Sequence, residues 1–114
     1  MIERELALTL KKRLKKFPIL TLTGPRQSGK STLLRNYFPE YAYINLERPD
    51  YRHLIMNDPV GFLKSQEKGV IFDEAQRVPE LFNYLQVVSD ERNIAGQYIL
   101  SGSQSFLMNE RISQ

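Results

Sequence analysis

The segment 24–31, with the sequence GPRQSGKS, constrains the fold of this chain more than any other part of it. It fits a pattern of two glycines with four residues between them, followed by lysine and then serine or threonine. An apolar, β-branched run at 19–23 precedes it, and a helix-forming stretch begins at Lys30. A glycine-rich turn between a strand and a helix is the setting in which this pattern binds phosphate. The sequence therefore predicts a phosphate-binding loop within an α/β fold.

The residue types in this loop suit a nucleoside triphosphate. Glycines let the backbone turn tightly and approach phosphate oxygens, while successive N–H groups form an anion nest. Lys30 is expected to reach the β- and γ-phosphates and to assist catalysis, and the Ser31 hydroxyl is expected to bind Mg²⁺. The predicted nucleotide-binding residues are Gly24, Pro25, Arg26, Gln27, Ser28, Gly29, Lys30, Ser31 and Thr32.

A second signal is the pair of acids that follows an apolar run at 70–72. Asp73 is expected to hold Mg²⁺, and Glu74 to orient or deprotonate the attacking water. Two acids alone would more simply cap the end of a strand. In open α/β sheets, however, ligands bind at the carboxyl ends of strands, where Lys30 and Asp73 are both predicted to lie. The two motifs together therefore indicate one nucleotide site.

A third signal is the polar end of the last predicted strand, where the sequence reads SGSQ at 101–104. Ser103 or Gln104 is expected to contact the γ-phosphate or the lytic water, and the sequence does not choose between them. The simpler alternative is a polar turn that terminates the strand.

Helical and extended patterns alternate along the chain, which predicts a layered α/β domain with a mainly parallel sheet. The first predicted helix has one apolar stripe, formed by Ile2, Leu6, Leu10, Leu14 and Phe17. Gly69 is predicted to cap the helix at 59–67, and Pro79 to open the last helix. The predicted helices are 2–17, 30–37, 59–67 and one from Pro79, and the predicted strands are 19–23, 41–46, 70–72 and 97–101.

Composition excludes several other classes of protein. The chain has 114 residues, no Cys and one His, His53, so a disulfide framework, a cysteine or histidine metal cluster and a Ser-His-Asp triad are excluded. Residues 1–16 hold six basic and two acidic residues, against a net charge of +3 for the whole chain. No apolar run approaches the roughly 20 residues that span a bilayer. A cytoplasmic protein without membrane partners is expected.

The chain resembles the N-terminal part of prokaryotic AAA_14 proteins, AAA+-type P-loop ATPases whose members usually also carry a DUF4143 domain. The resemblance rests on segments 24–33, 73–81 and 100–105, together with 58–59 and 62–63. It implies a three-layer P-loop core with the strand order 5-1-4-3-2. It also implies that Lys30 and Ser31 are the Walker A pair and that Asp73 and Glu74 form Walker B. Ala75 departs mildly from the Ile or Val usual in the family.

The resemblance implies that the chain is part of a longer ATPase. The expected division is an N-terminal amphipathic helix at 1–17 and a partial nucleotide-binding core at 18–114, without the fifth strand and lid. Strand 19–23 would then lie at an open sheet edge and promote self-association. Hydrolysis by this part alone is expected to be poor, because an arginine from a neighbour usually completes such sites.

The favoured function is Mg²⁺-dependent ATP binding and hydrolysis, with ATP and Mg²⁺ as cofactors. The alternative is a nucleotide-regulated binding module with little or no hydrolysis, in which a basic cluster at 11–16 binds nucleic acid. A solvated helix end explains that cluster more simply, since no aromatic platform accompanies it. A small-molecule kinase is disfavoured, because an acid beside the metal ligand suits water activation.

Overall fold

The structure, a computed structural model, describes residues 2–24 and 29–102. Helices and strands alternate along these residues, with one 3₁₀ turn, Ala75–Arg77, after the third strand. The helices are α1 (Ile2–Leu14), α2 (Lys30–Tyr37), α3 (Pro49–Asn57), α4 (Pro59–Ser65) and α5 (Leu81–Arg92). The strands are β1 (Ile19–Thr23), β2 (Ala42–Asn45), β3 (Val70–Asp73) and β4 (Tyr98–Gly102). None of the helices in these ranges has the length and apolar character needed to cross a bilayer.

The four strands form one sheet in which every neighbouring pair is parallel. Their order is β1-β4-β3-β2, so β3 and β4 are the central strands. In the register, Leu100 lies opposite Thr21 on one side and Phe72 on the other. This confirms the predicted α/β class, and the order reproduces the 1-4-3-2 portion of the expected sheet.

Helices cover both faces of the sheet, because apolar side chains alternate between its two sides along the central strands. On one face, Ile71 and Ile99 pack with Leu10 of α1 and Leu34 of α2. On the other face, Val70 and Phe72 belong to a buried cluster that includes residues of α3, α4 and α5. The central strands are buried throughout, as a middle layer requires.

The first helix differs from its prediction in length and in its buried face. It ends at Leu14, and its described buried residues are Ala7, Leu10 and Leu14, whereas Leu6 is 36% exposed. After the helix, the Phe17 carbonyl accepts a hydrogen bond from Gly96 N–H at 2.9 Å. That bond ties the chain before β1 to the segment before β4.

Two predicted boundaries were wrong for local reasons. Gly69 does not cap α4, which ends at Ser65 with Gln66 as its C-cap. Gly69 instead lies under Tyr41, whose ring carbon would be 2.2 Å from an added Cβ. The last helix begins at Leu81 rather than at Pro79.

Helix α3 has no counterpart among the predicted elements. It begins with Pro49 and has an acid, Asp50, in its first turn, both of which are typical of helix starts. Asp58 ends α3 and also caps α4 by accepting a hydrogen bond from Gly61 N–H at 3.1 Å. The two helices therefore share one junction residue.

In the described part of the chain, β1 pairs along one edge, with β4. Self-association through its other edge stays a prediction. Helix α1 packs on the sheet through Leu10 and Leu14, which join Leu20 of β1 in one buried cluster.

Candidate nucleotide site

The parallel topology brings the carboxyl ends of β1, β3 and β4 to one edge of the sheet. Gly24 follows β1, Asp73 ends β3 and Gly102 ends β4. Gly24 N–H donates to the Gly102 carbonyl at 3.3 Å, which ties the start of the glycine-rich loop to β4. The predicted motifs are thus adjacent at the edge where α/β proteins bind ligands.

The second glycine of the loop provides the turn into α2. Gly29 has φ +88°, a left-handed conformation that L side chains rarely adopt, and its carbonyl accepts from Leu33 N–H at 2.9 Å. Lys30 is the first residue of α2, and its Nζ donates to the Gly24 carbonyl at 3.1 Å. The lysine side chain therefore reaches back to the first glycine of the pattern, directly after β1. Residues Pro25, Arg26, Gln27 and Ser28 lie outside the described residues.

Asp73 is the most heavily hydrogen-bonded acid among the described residues. Its Oδ1 accepts from Ser101 Oγ at 2.5 Å and from Glu74 N–H at 2.9 Å. Its Oδ2 accepts from the hydroxyls of both Ser31 and Tyr43. Four donors from four parts of the chain thus converge on one carboxylate that is 2% exposed.

These donors determine the charge of Asp73. Burial by itself would raise the pKa of the carboxyl, because a charged group loses hydration. Hydrogen bonds from Ser101, Ser31 and Tyr43, and from the backbone of Glu74, outweigh burial and hold the pKa of Asp73 below its ordinary value of 3.8. The site therefore has a buried carboxylate that stays ionised at neutral pH.

Two of the four donors were not predicted from the sequence. Tyr43 lies within β2, and the guanidinium carbon of Arg35 is 5.0 Å from the centre of its ring. Burial and the hydrogen bond to Asp73 raise the pKa of the Tyr43 phenol. Ser101 lies in β4 and is fully buried. The available signals were a tyrosine at an alternating position of a strand and a serine within an apolar strand.

Glu74 has an unusual backbone. Its φ of 56° and ψ of 47° lie in the left-handed region, which costs a residue with a Cβ about 1–2 kcal/mol. Its side chain accepts a hydrogen bond at Oε1 from Gln76 Nε2 at 2.7 Å. Strained residues of this kind concentrate at functional sites.

Glu74 and the start of α2 line a small open hollow of about 140 Å³, together with Gly29, Lys30, Ser31 and Thr32. A larger hollow of about 460 Å³ lies elsewhere, beside Lys11, Phe38 and Tyr41. Tyr41 directly precedes β2, so the larger hollow is near the amino ends of the strands. The chemistry-bearing residues are at the smaller one.

The donor set matches the way proteins bind Mg²⁺ to nucleotides. Among the residues that the structure describes, no group of three or more His, Cys, Asp or Glu side chains could hold a metal ion. Mg²⁺ commonly takes one or two protein ligands and completes its shell with water and substrate phosphates. Ser31 and Asp73, already in contact, fit that arrangement.

The structure places Gly24, Gly29, Lys30, Ser31, Thr32, Asp73 and Glu74 in this one region. The two alternatives for the third signal, Ser103 and Gln104, lie outside the described residues. The described part of β4 ends one residue before them, at Gly102.

A protein-family model described as an AAA domain matches residues 16–114. The chain belongs to this AAA-domain family. The predicted resemblance is therefore confirmed. The assignment indicates a nucleotide-binding, ATPase-type module, to which the parallel sheet with its loop at the carboxyl edge corresponds.

Two mycobacterial proteins are similar to this AAA domain. They are the uncharacterized proteins Mb2031c of Mycobacterium bovis and Rv2008c of Mycobacterium tuberculosis, each 37% identical over 105 residues. The matched region covers 90% of this chain and 23% of each relative. The chain therefore spans about a quarter of the length of these relatives.

Proposed function

We propose that this AAA domain binds ATP with Mg²⁺ and hydrolyses it. The observation that carries the proposal is the contact between Ser31 and Asp73, which joins the glycine-rich loop to the acidic end of β3. Lys30 and Glu74 line the hollow beside that contact. The site thus combines a cation, a hydroxyl and two carboxylates, the groups that would bind a β,γ-phosphate and its metal.

Each side chain has a distinct role in the proposal. Lys30 neutralises phosphate charge from the start of α2, where unpaired N–H groups also favour anions. Ser31 and Asp73 would hold Mg²⁺, which supplies charge neutralisation at the phosphates. Glu74 orients a water molecule and accepts its proton. Ser103 or Gln104 would contact the γ-phosphate.

The whole protein's activity is also a proposal, because relatives are much longer than this chain. In AAA+-type ATPases an arginine from a neighbouring subunit usually completes the site. We therefore expect the domain to act as the nucleotide-binding part of a longer hydrolase, with contacts to further copies. A cytoplasmic location belongs to the same proposal.

Nucleic-acid binding is the weaker alternative. The basic residues Lys11, Lys12 and Arg13 are exposed in the last turn of α1, where cations are favourable on any helix. Lys11 also has a local partner, since its ammonium lies 5.6 Å from the centre of the Phe38 ring. Lys11 borders the larger hollow near the amino ends of the strands, away from the candidate nucleotide site.

The proposal is tested by phosphate release from ATP with Mg²⁺ and with EDTA, alongside calorimetric ATP binding. We expect Mg²⁺-dependent release, and a loss of ATP affinity of about 10- to 100-fold in Lys30→Ala, because a charge-assisted hydrogen bond is removed. Lys68→Ala, an exposed lysine outside the site, is the matched control and should bind like the parent. Equal ATP affinity in Lys30→Ala and the parent would contradict the proposed site.

A further inference from the structure

Gln76 links the proposed water-activating acid to the end of β4. Its Nε2 donates to Glu74 Oε1 at 2.7 Å, and its Oε1 lies against Gly102. We propose that Gln76 is a positioning residue that fixes the Glu74 carboxylate, and that Gly102 is glycine in order to leave room for the Gln76 amide. The catalytic consequence rests on the proposed hydrolysis, whereas the contact itself does not.

The backbone that carries Gln76 is firmly held. Ala75, beside it in the 3₁₀ turn, is 5% exposed and belongs to the buried cluster that includes residues of α3, α4 and α5. Two hydrogen bonds close this turn, from Arg77 N–H to the Glu74 carbonyl at 3.1 Å and from Val78 N–H to the Ala75 carbonyl at 3.0 Å. The amide of Gln76 is thus presented from a fixed support rather than from a free loop.

Gly102 provides an independent observation. Its backbone is not in the left-handed region, which among the described glycines is limited to Gly29 and Gly96. Conformation therefore does not require glycine at 102. An added Cβ would, however, lie 2.2 Å from Gln76 Oε1, so alanine at 102 would make the Gln76 amide move from its observed position. The absence of a side chain at Gly102 therefore leaves the space that the Gln76 amide occupies.

The hydrogen bond engages one oxygen of Glu74 and fixes the plane of the carboxylate. A general base must lie within hydrogen-bond reach of the proton it removes, so a fixed carboxylate is placed for one water position. Without the amide donor the carboxylate rotates more freely about its side-chain torsions. A displacement of about 1 Å in a reacting group can cost up to about 100-fold in rate.

Nucleotide binding should change little when Gln76 is altered. The hollow is lined by Gly29, Lys30, Ser31, Thr32 and Glu74, and Gln76 lies behind Glu74. The expected signature is therefore a fall in kcat with KM for ATP unchanged. A merely structural role would change stability and both kinetic constants together.

The kinetic test is a double-mutant cycle with Gln76→Ala and Gly102→Ala. Each single variant should lower kcat by about 10- to 100-fold with KM within about 2-fold of the parent. The double variant should be no slower than Gln76→Ala, because alanine at 76 removes the atom that the new Cβ meets. Gln86→Ala, on the partly buried side of α5, is the control and should keep the parent kcat. Additive losses, or parent kcat in Gln76→Ala, would overturn the inference.

A second measurement does not depend on hydrolysis. The side-chain amide resonances of Gln76 are followed by ¹⁵N NMR in the nucleotide-free protein, in the parent, Glu74→Ala and Gly102→Ala. Both substitutions should move these resonances, because one removes the acceptor and the other displaces the amide. Unmoved resonances would refute the contact. If both substitutions move these resonances but the parent releases no phosphate, the proposed hydrolysis is refuted and the contact is established.

Discussion

Ser101 donates its hydroxyl to Asp73 Oδ1 across neighbouring central strands, with the two oxygens 2.5 Å apart. Ser101 is fully buried and Asp73 is 2% exposed, so water cannot replace this bond. The pairing of Phe72 with Leu100 in the sheet register places the next residue of each strand side by side. The sheet itself therefore aligns the donor with the acid before any ligand is present.

Ser101→Ala should lower the stability of the protein. A hydrogen bond to a charged group contributes about 1.5–3 kcal/mol, and here the buried carboxylate would lose one of its four donors without hydration in return. The expected loss in the free energy of unfolding at neutral pH is of that size, measured by urea denaturation.

Ser89→Ala is the matched control for this prediction. Ser89 is also a buried serine, 3% exposed, but its Oγ has no hydrogen-bond partner in the structure. Removing it should leave stability unchanged or raise it slightly, since alanine also favours the helix α5. Equal losses in the two variants would show that the Ser101 bond contributes nothing specific.

The ionisation of Asp73 should make stability depend on acid. Its folded pKa lies below the ordinary value of 3.8, so its contribution is complete above that value and is lost as pH falls through the lowered pKa. In Asp73→Asn the unfolding free energy should be lower at neutral pH and should fall less below about pH 4. Urea titrations across this range measure both effects.

Salt distinguishes this acid from another with a lowered pKa. The pKa of Asp50 is lowered by its hydrogen bond to Arg48, and both side chains are exposed. Salt screens exposed pairs but has little effect on buried contacts. The parent has a part of its acid dependence of stability that Asp73→Asn lacks, and this part should persist in 1 M NaCl, where the Debye length is about 3 Å. If 1 M NaCl abolishes this part, the neutral buried donors are not the cause of the lowered Asp73 pKa.

The sequence predicted the parts of the site whose residues are close together along the chain. The glycine-rich loop and the Asp73-Glu74 pair were found because each has a pattern within a few residues of chain. Their adjacency followed from the rule that carboxyl ends of parallel strands meet at one edge. These local signals were enough to predict the α/β class and the region around Lys30 and Asp73.

The donors around Asp73 were not predictable in the same way. Tyr43 is 30 residues from Asp73 and Ser101 is 28 residues away, so only the strand order and register bring them together. Helix α3 was missed because its start signals, Pro49 and Asp50, follow β2 without a clear apolar period. Long-range pairing and short helices therefore required the three-dimensional fold.

The two acids at the end of β3, Asp73 and Glu74, should show different defects when each is replaced by its amide. Glu74→Gln should retain ATP affinity and suppress hydrolysis by about 10²–10⁴-fold, because the amide cannot accept the water proton. Asp73→Asn should instead raise the Mg²⁺ concentration needed for ATP binding. Calorimetry over a Mg²⁺ series and phosphate release measure the two effects. A Glu74→Gln protein with the parent rate would disprove water activation by this residue.

The left-handed backbone of Glu74 predicts a conflict between stability and function. Glu74→Gly and Glu74→Ala both remove the carboxylate and its bond to Gln76, so they differ in the strain of a Cβ at φ 56° and in the greater backbone entropy that glycine loses on folding. The strain of about 1–2 kcal/mol exceeds the entropy difference of about 0.5–1 kcal/mol, so Glu74→Gly should be more stable than Glu74→Ala by about 1 kcal/mol. Neither variant should hydrolyse ATP. Urea denaturation measures the difference, and Asn93→Gly against Asn93→Ala gives the same comparison at φ 55° outside the site. If Glu74→Ala is as stable as Glu74→Gly while the Asn93 pair differs, the backbone at residue 74 relaxes on substitution and stores no strain for the site.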